Sequence, residues 1–446
     1  MATADFPFII RLDPAVREAG VAGTSLRIAM RSWSEPRDIP FAFAAAAPVV
    51  AWLAAPGLAL DDLRRRAAEL PGGWPSAAEV LGSLARRRLL AWAYGDPADP
   101  MLRVEALGGR FAPDYDAPPP LARRLSRFAY LRRDGDRTLL ECPEVDARIV
   151  VPPRGQALLP ALLSAGDDPA LDRLLACCGF LEPAGVEPES RRTWSFHDRL
   201  FHEETRANVS GRVQGGTYRF KEAFPSPPAV KPPMSSERIA LPAFDNANTS
   251  GSLWSVMEGR ISRRGPGRRP LQRDELAHLL WRVARVRKVI RTEPQDLPSR
   301  PMPAGGSINE LEFYLVIHRC EGLAPGLYHY AGGEHALERL PASPAVLAAL
   351  LDTASLAQAL DSKRSDCLIV LAARLPRLGW KYEGIAYRVA LMNAGVAVDA
   401  LYLVATDLGL SPCAVGTGNS TLFEQATGLS PWEETAIAEF TVNGPA

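Results

Sequence analysis

The sequence predicts an α+β protein of more than one domain, on three observations. In the C-terminal half, strand-like apolar runs and amphipathic helical runs mix without a βαβ rhythm. In the N-terminal half, a helix–helix–strand order occurs twice. Between them lies FPSPPAVKPPMSSE (224–237), whose Pro and Ser content predicts a semi-extended linker. A chain of 446 residues also exceeds one ordinary core.

Composition narrows the class. Lys+Arg and Asp+Glu each total 51, and 47% of residues are hydrophobic, which is globular and soluble. That balance gives no whole-chain pull toward nucleic acid or membrane. MATADFPFII lacks a basic n-region, so no signal peptide is expected. Residues 39–60, IPFAFAAAAPVVAWLAAPGLAL, are uncharged and long enough to span a bilayer. Their weakly apolar alanines and Pro40, Pro48 and Pro56 favour a buried, broken helical segment instead. The six cysteines are scattered without a CxxC, which suits a reduced, cytoplasmic protein.

In the first half, LDDLRRRAAEL and SAAEVLGSLARRRLLAWAY (60–94) predict two helices and a strand. RFAYLRRDGDRTLLECPE and ARIVVPP predict extended segments, and GQALLPALLSAG with PALDRLLACCGFLEPAG (155–185) predicts helices. This is winged-helix grammar, so winged-helix-like domains are expected over 1–105 and 106–222, then a linker over 223–255. Such domains serve DNA or peptide binding alike. Arg86, Arg87 and Arg88 predict a solvated helix face, since a DNA reader shows a stronger basic stripe. His197 and His202 are five residues apart, about 140° around a helix, so one face cannot offer both to a metal. No metal site is expected.

In the second half, DELAHLLWRVARVRKVI (274–290) predicts an amphipathic helix and LEFYLVIHR (311–319) a strand. GLYHY (326–330) predicts a strand pairing with HALERL beyond the Gly332-Gly333 turn. CLIVLAAR (367–374) is a further buried strand. IAYRVALMNAGVAVDALYLVATDL (385–408) is a long apolar helix, with Gly409 suited to the position beyond its end.

Three features could carry chemistry. ISRRGPGRRP (261–270) gathers Arg263, Arg264, Arg268 and Arg269 around glycines, as a phosphate cradle or a solvated basic loop. RPMPAGGSINELEFYLV (300–316) sets Pro303, Ala304, Gly305 and Gly306 in a turn that permits close backbone approach to a ligand. GTGNS (416–420) is a second glycine loop; no GxGxxG or Walker pattern supports a Rossmann or P-loop site. Lys381 and Tyr382 stand together where the apolar helix is expected to start, and there the macrodipole disfavours an ammonium, as a base requires. The alternative is an ordinary exposed helix start.

In order, RRGPGR, PAGG, GLYHY, KY and TDLGL resemble the SagB-type, nitroreductase-fold, FMN-dependent dehydrogenases over roughly residues 256–446. WSFHDRLFHEETR with GGTYRF is similar to the join in that family, and the first half to its winged-helix-like N-terminal region. The resemblance implies aromatisation of thiazolines or oxazolines in a ribosomally made peptide, with hydride accepted by FMN. It implies that Arg263, Arg264 and Arg268 hold the phosphate. Pro303, Ala304, Gly305, Gly306 and Asn309, with Gly416, Thr417 and Gly418, would line the flavin. Lys381 or Tyr382 would take the proton. A homodimer, a precursor-peptide substrate and a cyclodehydratase partner are implied, with neither nucleic acid nor membrane involved. Gly265 and Ala304 stand where the family usually has serines, and Asn309 where relatives often have an aromatic or His. Two other readings fit the same residues: a flavin oxidase of a carrier-bound or free small molecule, and a non-enzymatic scaffold or DNA-binding protein with a degenerate flavin domain.

Overall fold

The computed structural model describes all residues except 1–7, 33, 42, 44, 55, 97, 118–123, 164–167, 183–186, 207–212, 246–251 and 361–362. It divides into two compact units, Met1–Val213 and Gln214–Ala446.

The first unit begins with β1 (Phe8–Leu12), β2 (Val16–Ala22), β3 (Ser25–Met30), β4 (Arg37–Pro40) and α1 (Ala46–Trp52). There follow β5 (Leu58–Ala59), α2 (Leu60–Ala67), α3 (Gly73–Arg86), β6 (Leu90–Gly95) and β7 (Pro100–Ala106). β8 (Tyr130–Asp134), β9 (Arg137–Glu141), β10 (Ala147–Val151), α4 (Leu159–Leu163), α5 (Pro169–Cys177), α6 (Glu189–Arg192) and α7 (Phe196–Glu204) complete it. Its main sheet has the order β5-β1-β6-β7-β10-β9-β8.

The boundary expected at residue 105 falls inside this sheet, because β7 pairs with β6 before it and β10 after it. A single buried cluster runs from Phe8 to Phe180. Sheet closure explains the sharing: β7 and β10, otherwise edge strands, satisfy each other's backbone groups. Segment 39–60 contains α1 and β5, and its Val49, Val50 and Leu53 are buried. Arg86, Arg87 and Arg88 are exposed at the end of α3. His202 packs edge-on against Trp194, ring centroids 5.4 Å apart.

The second unit contains β11 (Gly215–Gly216), β12 (Arg238–Ala240), α8 (Leu253–Gly259), β13 (Leu271–Gln272), α9 (Arg273–Val283), β14 (Lys288–Ile290) and β15 (Leu297–Ser299). Next come β16 (Leu311–Ile317), β17 (Cys320–Glu321), β18 (Gly326–Ala331), β19 (Ala336–Leu340), α10 (Pro344–Ala357) and β20 (Cys367–Ala373). α11 (Leu375–Lys381), β21 (Tyr382–Glu383), α12 (Ala386–Asp407), β22 (Ser411–Val415), α13 (Ser420–Thr427) and β23 (Thr435–Asn443) close the chain. An antiparallel sheet of order β12-β19-β18-β16-β20-β23-β22 forms its middle layer.

Strand alternation separates the two faces. On β16, Leu311, Phe313 and Leu315 join the cluster under α9 and α12, whereas Tyr314 and Val316 join the cluster under α10 and α13. The expected helix over 274–290 stops at Val283. Beyond it the backbone donors find partners outside the helix: Val286 N–H reaches Gly332 O in the turn after β18 at 2.8 Å, and Arg287 N–H reaches Ser299 O of β15 at 2.7 Å. α12 is long and apolar enough to cross a membrane by length and composition. Here its Ala390, Ala394, Ala397 and Leu401 are buried.

The proline-rich stretch is extended, yet it is bonded along its length rather than free. An extended proline backbone leaves its carbonyls open. Pro227 O accepts from Arg377 at 2.7 Å and Pro228 O from Arg374 at 3.0 Å. Lys231 Nζ donates to Tyr314 Oη at 2.6 Å, and Met234 N–H to Glu338 at 3.2 Å. The stretch is a strap across the second unit, and the division between units lies at Val213, before the expected linker.

Candidate functional site

Lys381 is the last residue of α11, and Tyr382 has extended backbone (φ −103°, ψ 132°). The pair therefore closes one helix, while α12 starts only at Ala386. The expected helix start is therefore a helix end.

A short strand pair forms the next layer. β11 pairs with β21, Gly216 opposite Tyr382 and Gly215 opposite Glu383. Gly215 has φ +108°, and a Cβ on Gly216 would lie 3.8 Å from Lys381 Cε. Tyr218 N–H donates to Lys381 O at 3.1 Å. The Lys381 ammonium then lies 5.7 Å from the Tyr218 ring centroid and 5.2 Å from that of Tyr382, within cation–π reach of both.

Both side chains end at Gly306. Lys381 Nζ donates to Gly306 O at 3.3 Å. A Cβ at Gly306 would collide with Tyr382 Oη and lie 2.6 Å from Lys381 Nζ, and its φ is +58°. Glycine is required here on both counts. Ser307 (φ 57°) and Asn309 (φ 49°) are also left-handed, so the loop is strained and must be held.

What holds it was not visible in the sequence. Gly305 N–H donates to Asn393 Oδ1 on α12 at 2.9 Å, and Asn393 Nδ2 donates to both Glu310 oxygens at 3.0 Å. Glu310 is fully buried, and burial raises its pKa despite the Asn393 hydrogen bond. Asn309, expected to line the flavin, is 4% exposed and gives its amide to Pro298 O at 2.6 Å. It braces the loop. Pro303 and Gly306 are exposed, with Ala304 and Gly305 half-buried between them.

The arginines form a second set. Arg263 N–H donates to Pro412 O and Arg268 N–H to Pro445 O, both at 2.8 Å, which lays the loop beside β22. Gly265 has φ +82°, a conformation a serine would adopt only under strain. Nothing in the structure explains Ala304. Arg263, Arg264 and Arg268 are exposed and make no carboxylate pair among the described residues, whereas Arg269 beside them pairs with Glu275. Three unneutralised guanidinium groups suit a phosphate. Gly416, Thr417 and Gly418 are exposed between β22 and α13.

No hydrogen bond or ion pair joins these two sets among the described residues. α12 measures their offset: Asn393 touches the glycine loop, while Tyr402 Oη bonds Ser262 and Ala414 N–H, each at 2.8 Å. At 1.5 Å rise per residue the two contact points lie about 13 Å apart.

Residues 257–440 match the profile of the Nitroreductase family. This part of the chain is a nitroreductase-family domain, with the fold of that family. It is 27% identical over 146 residues to the trifolitoxin-processing protein TfxB of Rhizobium leguminosarum bv. trifolii, covering 32% of this chain and 39% of that protein. It is 26% identical over 147 residues to a nitroreductase-named protein of Methanocaldococcus jannaschii, covering 33% and 69% of the two chains. Among solved structures, the Escherichia coli microcin synthetase McbBCD complex with truncated pro-MccB17 bound aligns at TM-score 0.36 and 19% identity, over 52% of this chain and 88% of that one. Nitroreductase-family proteins are oxidoreductases that bind FMN. The residues present fit that group: arginines with no carboxylate partner among the described residues for its phosphate, and the backbone of the Pro303–Gly306 loop for its flat ring.

Proposed function

We propose that this protein is an FMN-dependent dehydrogenase that aromatises thiazolines or oxazolines to azoles in a ribosomally made peptide. The observation that carries the reading is the convergence of Lys381 Nζ and Tyr382 Oη on the backbone of Gly306. Azoline aromatisation removes a proton from one ring atom and a hydride from its neighbour. FMN, when bound, is the hydride acceptor.

The chain supplies the rest. Tyr382 Oη, as the phenolate, takes the proton, and the Lys381 ammonium beside it stabilises that charge. The missing side chain at Gly306 makes room for both polar ends. Arg263, Arg264 and Arg268 hold the cofactor phosphate, and the Gly416–Gly418 loop borders it. Because the two sets are offset along α12, we place the complete site across a two-fold homodimer. Tyr387, Leu391 and Met392 on α12, and Leu253, Trp254 and Met257 on α8, are exposed apolar residues suited to that interface.

The peptide substrate rests on similarity to a trifolitoxin-processing protein and on the first unit. That unit carries a cleft of about 870 Å³ lined by Arg110, Glu144, Cys177, Arg199 and Glu203, wide enough for a peptide segment. We place the protein in the cytoplasm beside a cyclodehydratase that makes the azolines. The test is incubation of the FMN-loaded protein with an azoline-bearing peptide, read by mass spectrometry. Loss of one H2 per ring supports the reading; an unchanged peptide defeats it.

A further inference from the structure

Arg377 lies on α11, one turn before Lys381, and is 0% exposed. Among the described residues it makes no ion pair. Its three guanidinium nitrogens instead donate to three carbonyls from three separate segments. Nε reaches Ile308 O in the glycine loop at 3.0 Å, Nη1 reaches Pro227 O in the strap at 2.7 Å, and Nη2 reaches Asp296 O at 2.6 Å. Burial, with the neighbouring Arg374 adding to it, draws its pKa down to about 10.

A buried cation with no carboxylate paired to it is costly, and an apolar side chain of similar volume would fill the space without that cost. What no apolar residue can do is satisfy three carbonyls that lie on irregular backbone and have no ladder partner. The fork of the guanidinium sets the directions of all three bonds at once. One of them is to Ile308, in the midst of left-handed Gly306, Ser307 and Asn309. The same helix is tied to the strap again by Trp380, whose indole N–H donates to Phe224 O at 2.9 Å. Gln295 bonds Ser226 Oγ at 2.6 Å and Arg377 O at 3.4 Å, closing the ring of contacts.

We propose that Arg377 is a positioning residue: it fixes the glycine loop against the Lys381–Tyr382 pair and makes that spacing depend on the strap at Pro227. The inference deepens the reading of that pair as the reactive site and rests on it. Arg377 touches no substrate and acts only through the Ile308 carbonyl and α11.

The test compares Arg377→Met with Leu378→Ala, which removes a neighbouring, equally buried core side chain on the same helix. With FMN saturating, Arg377→Met is expected to lower kcat about tenfold or more, while KM for the peptide stays within about twofold. Leu378→Ala, at a similar loss of thermal stability, keeps kcat near the wild-type value. Amide exchange of the chain without added FMN gives a second readout: it accelerates at Gly305–Asn309 and around Pro227 in Arg377→Met and not in Leu378→Ala. Equal behaviour of the two variants in both readouts overturns the proposal. If Arg377→Met does not fold, Arg377→Lys takes its place, since an ammonium keeps the charge but not the three-way fork; wild-type kcat and exchange in Arg377→Lys overturn the proposal. A wild-type chain that turns over no azoline counts against the proposed function alone, because the exchange comparison still decides the role of Arg377.

Discussion

Tyr382 and Lys381 are adjacent in sequence, and adjacent side chains in regular structure point apart. They meet because the helix ends between them. Lys381 leaves the last turn of α11, Tyr382 leaves an extended residue, and both reach the gap that Gly306 leaves open. Tyr382→Phe is expected to lower turnover by about a hundredfold or more, the usual contribution of a positioned base, with FMN retained. Lys381→Ala should also lose turnover and keep FMN; near-normal rates in both variants would remove them from the chemistry. Gly306→Ala places a methyl against both polar ends on a left-handed backbone. Its expected signature is a folded protein with strongly reduced turnover, measured against wild type at saturating peptide. A fully active Gly306→Ala would mean that the pair does not face the substrate there.

At the scale of elements, the apolar patterns were legible and the polar scaffolding was not. β16, β18, β20 and α12 lie within a residue or two of the runs LEFYLVIHR, GLYHY, CLIVLAAR and IAYRVALMNAGVAVDALYLVATDL, because burial period identifies such segments. The helix that ends at Lys381 leaves no such signal, since LPRLGWK is short and has no clear apolar stripe. The prolines of the strap predict a linker; composition gives the extended backbone but not which buried arginines use its carbonyls. Nor could spacing show that Asn393 and Glu310, 83 residues apart, hold Gly305.

A buried network on β16, β18 and β19 makes a pH prediction at this scale. Burial alone would raise the Glu312 pKa, but hydrogen bonding to His329 and the nearby Arg300 and Arg374 bring it down to about 2. Its folded pKa is thus below the ordinary 4.5, so its stabilisation is present above 4.5 and is lost as pH falls toward 2. For His329, burial acts downward, yet Glu312 and Glu338 raise its pKa above 6.5. Its stabilisation is complete below 6.5 and fades as pH rises through the raised value. Thermal unfolding across pH should therefore show a decline on the acid side that Glu312→Gln flattens. An unchanged acid decline in that variant would exclude Glu312 as its source.

At the scale of the whole molecule, one chain presents an arginine set and a glycine-loop set that no hydrogen bond or ion pair joins among the described residues. Met392→Glu places a charge on the exposed outer face of α12. It is expected to give a monomer by light scattering and to lose FMN together with dimerisation; an FMN-loaded monomer would contradict a site shared between two copies. The central claim, oxidation of an azoline by this protein, is tested most directly by anaerobic mixing of the purified, FMN-loaded protein with an azoline-bearing peptide, following the visible flavin bands and the peptide mass together. The account predicts bleaching of the flavin in step with loss of one H2 per ring. Persistent flavin colour with an unchanged peptide, from a preparation whose FMN a chemical reductant does bleach, would contradict it.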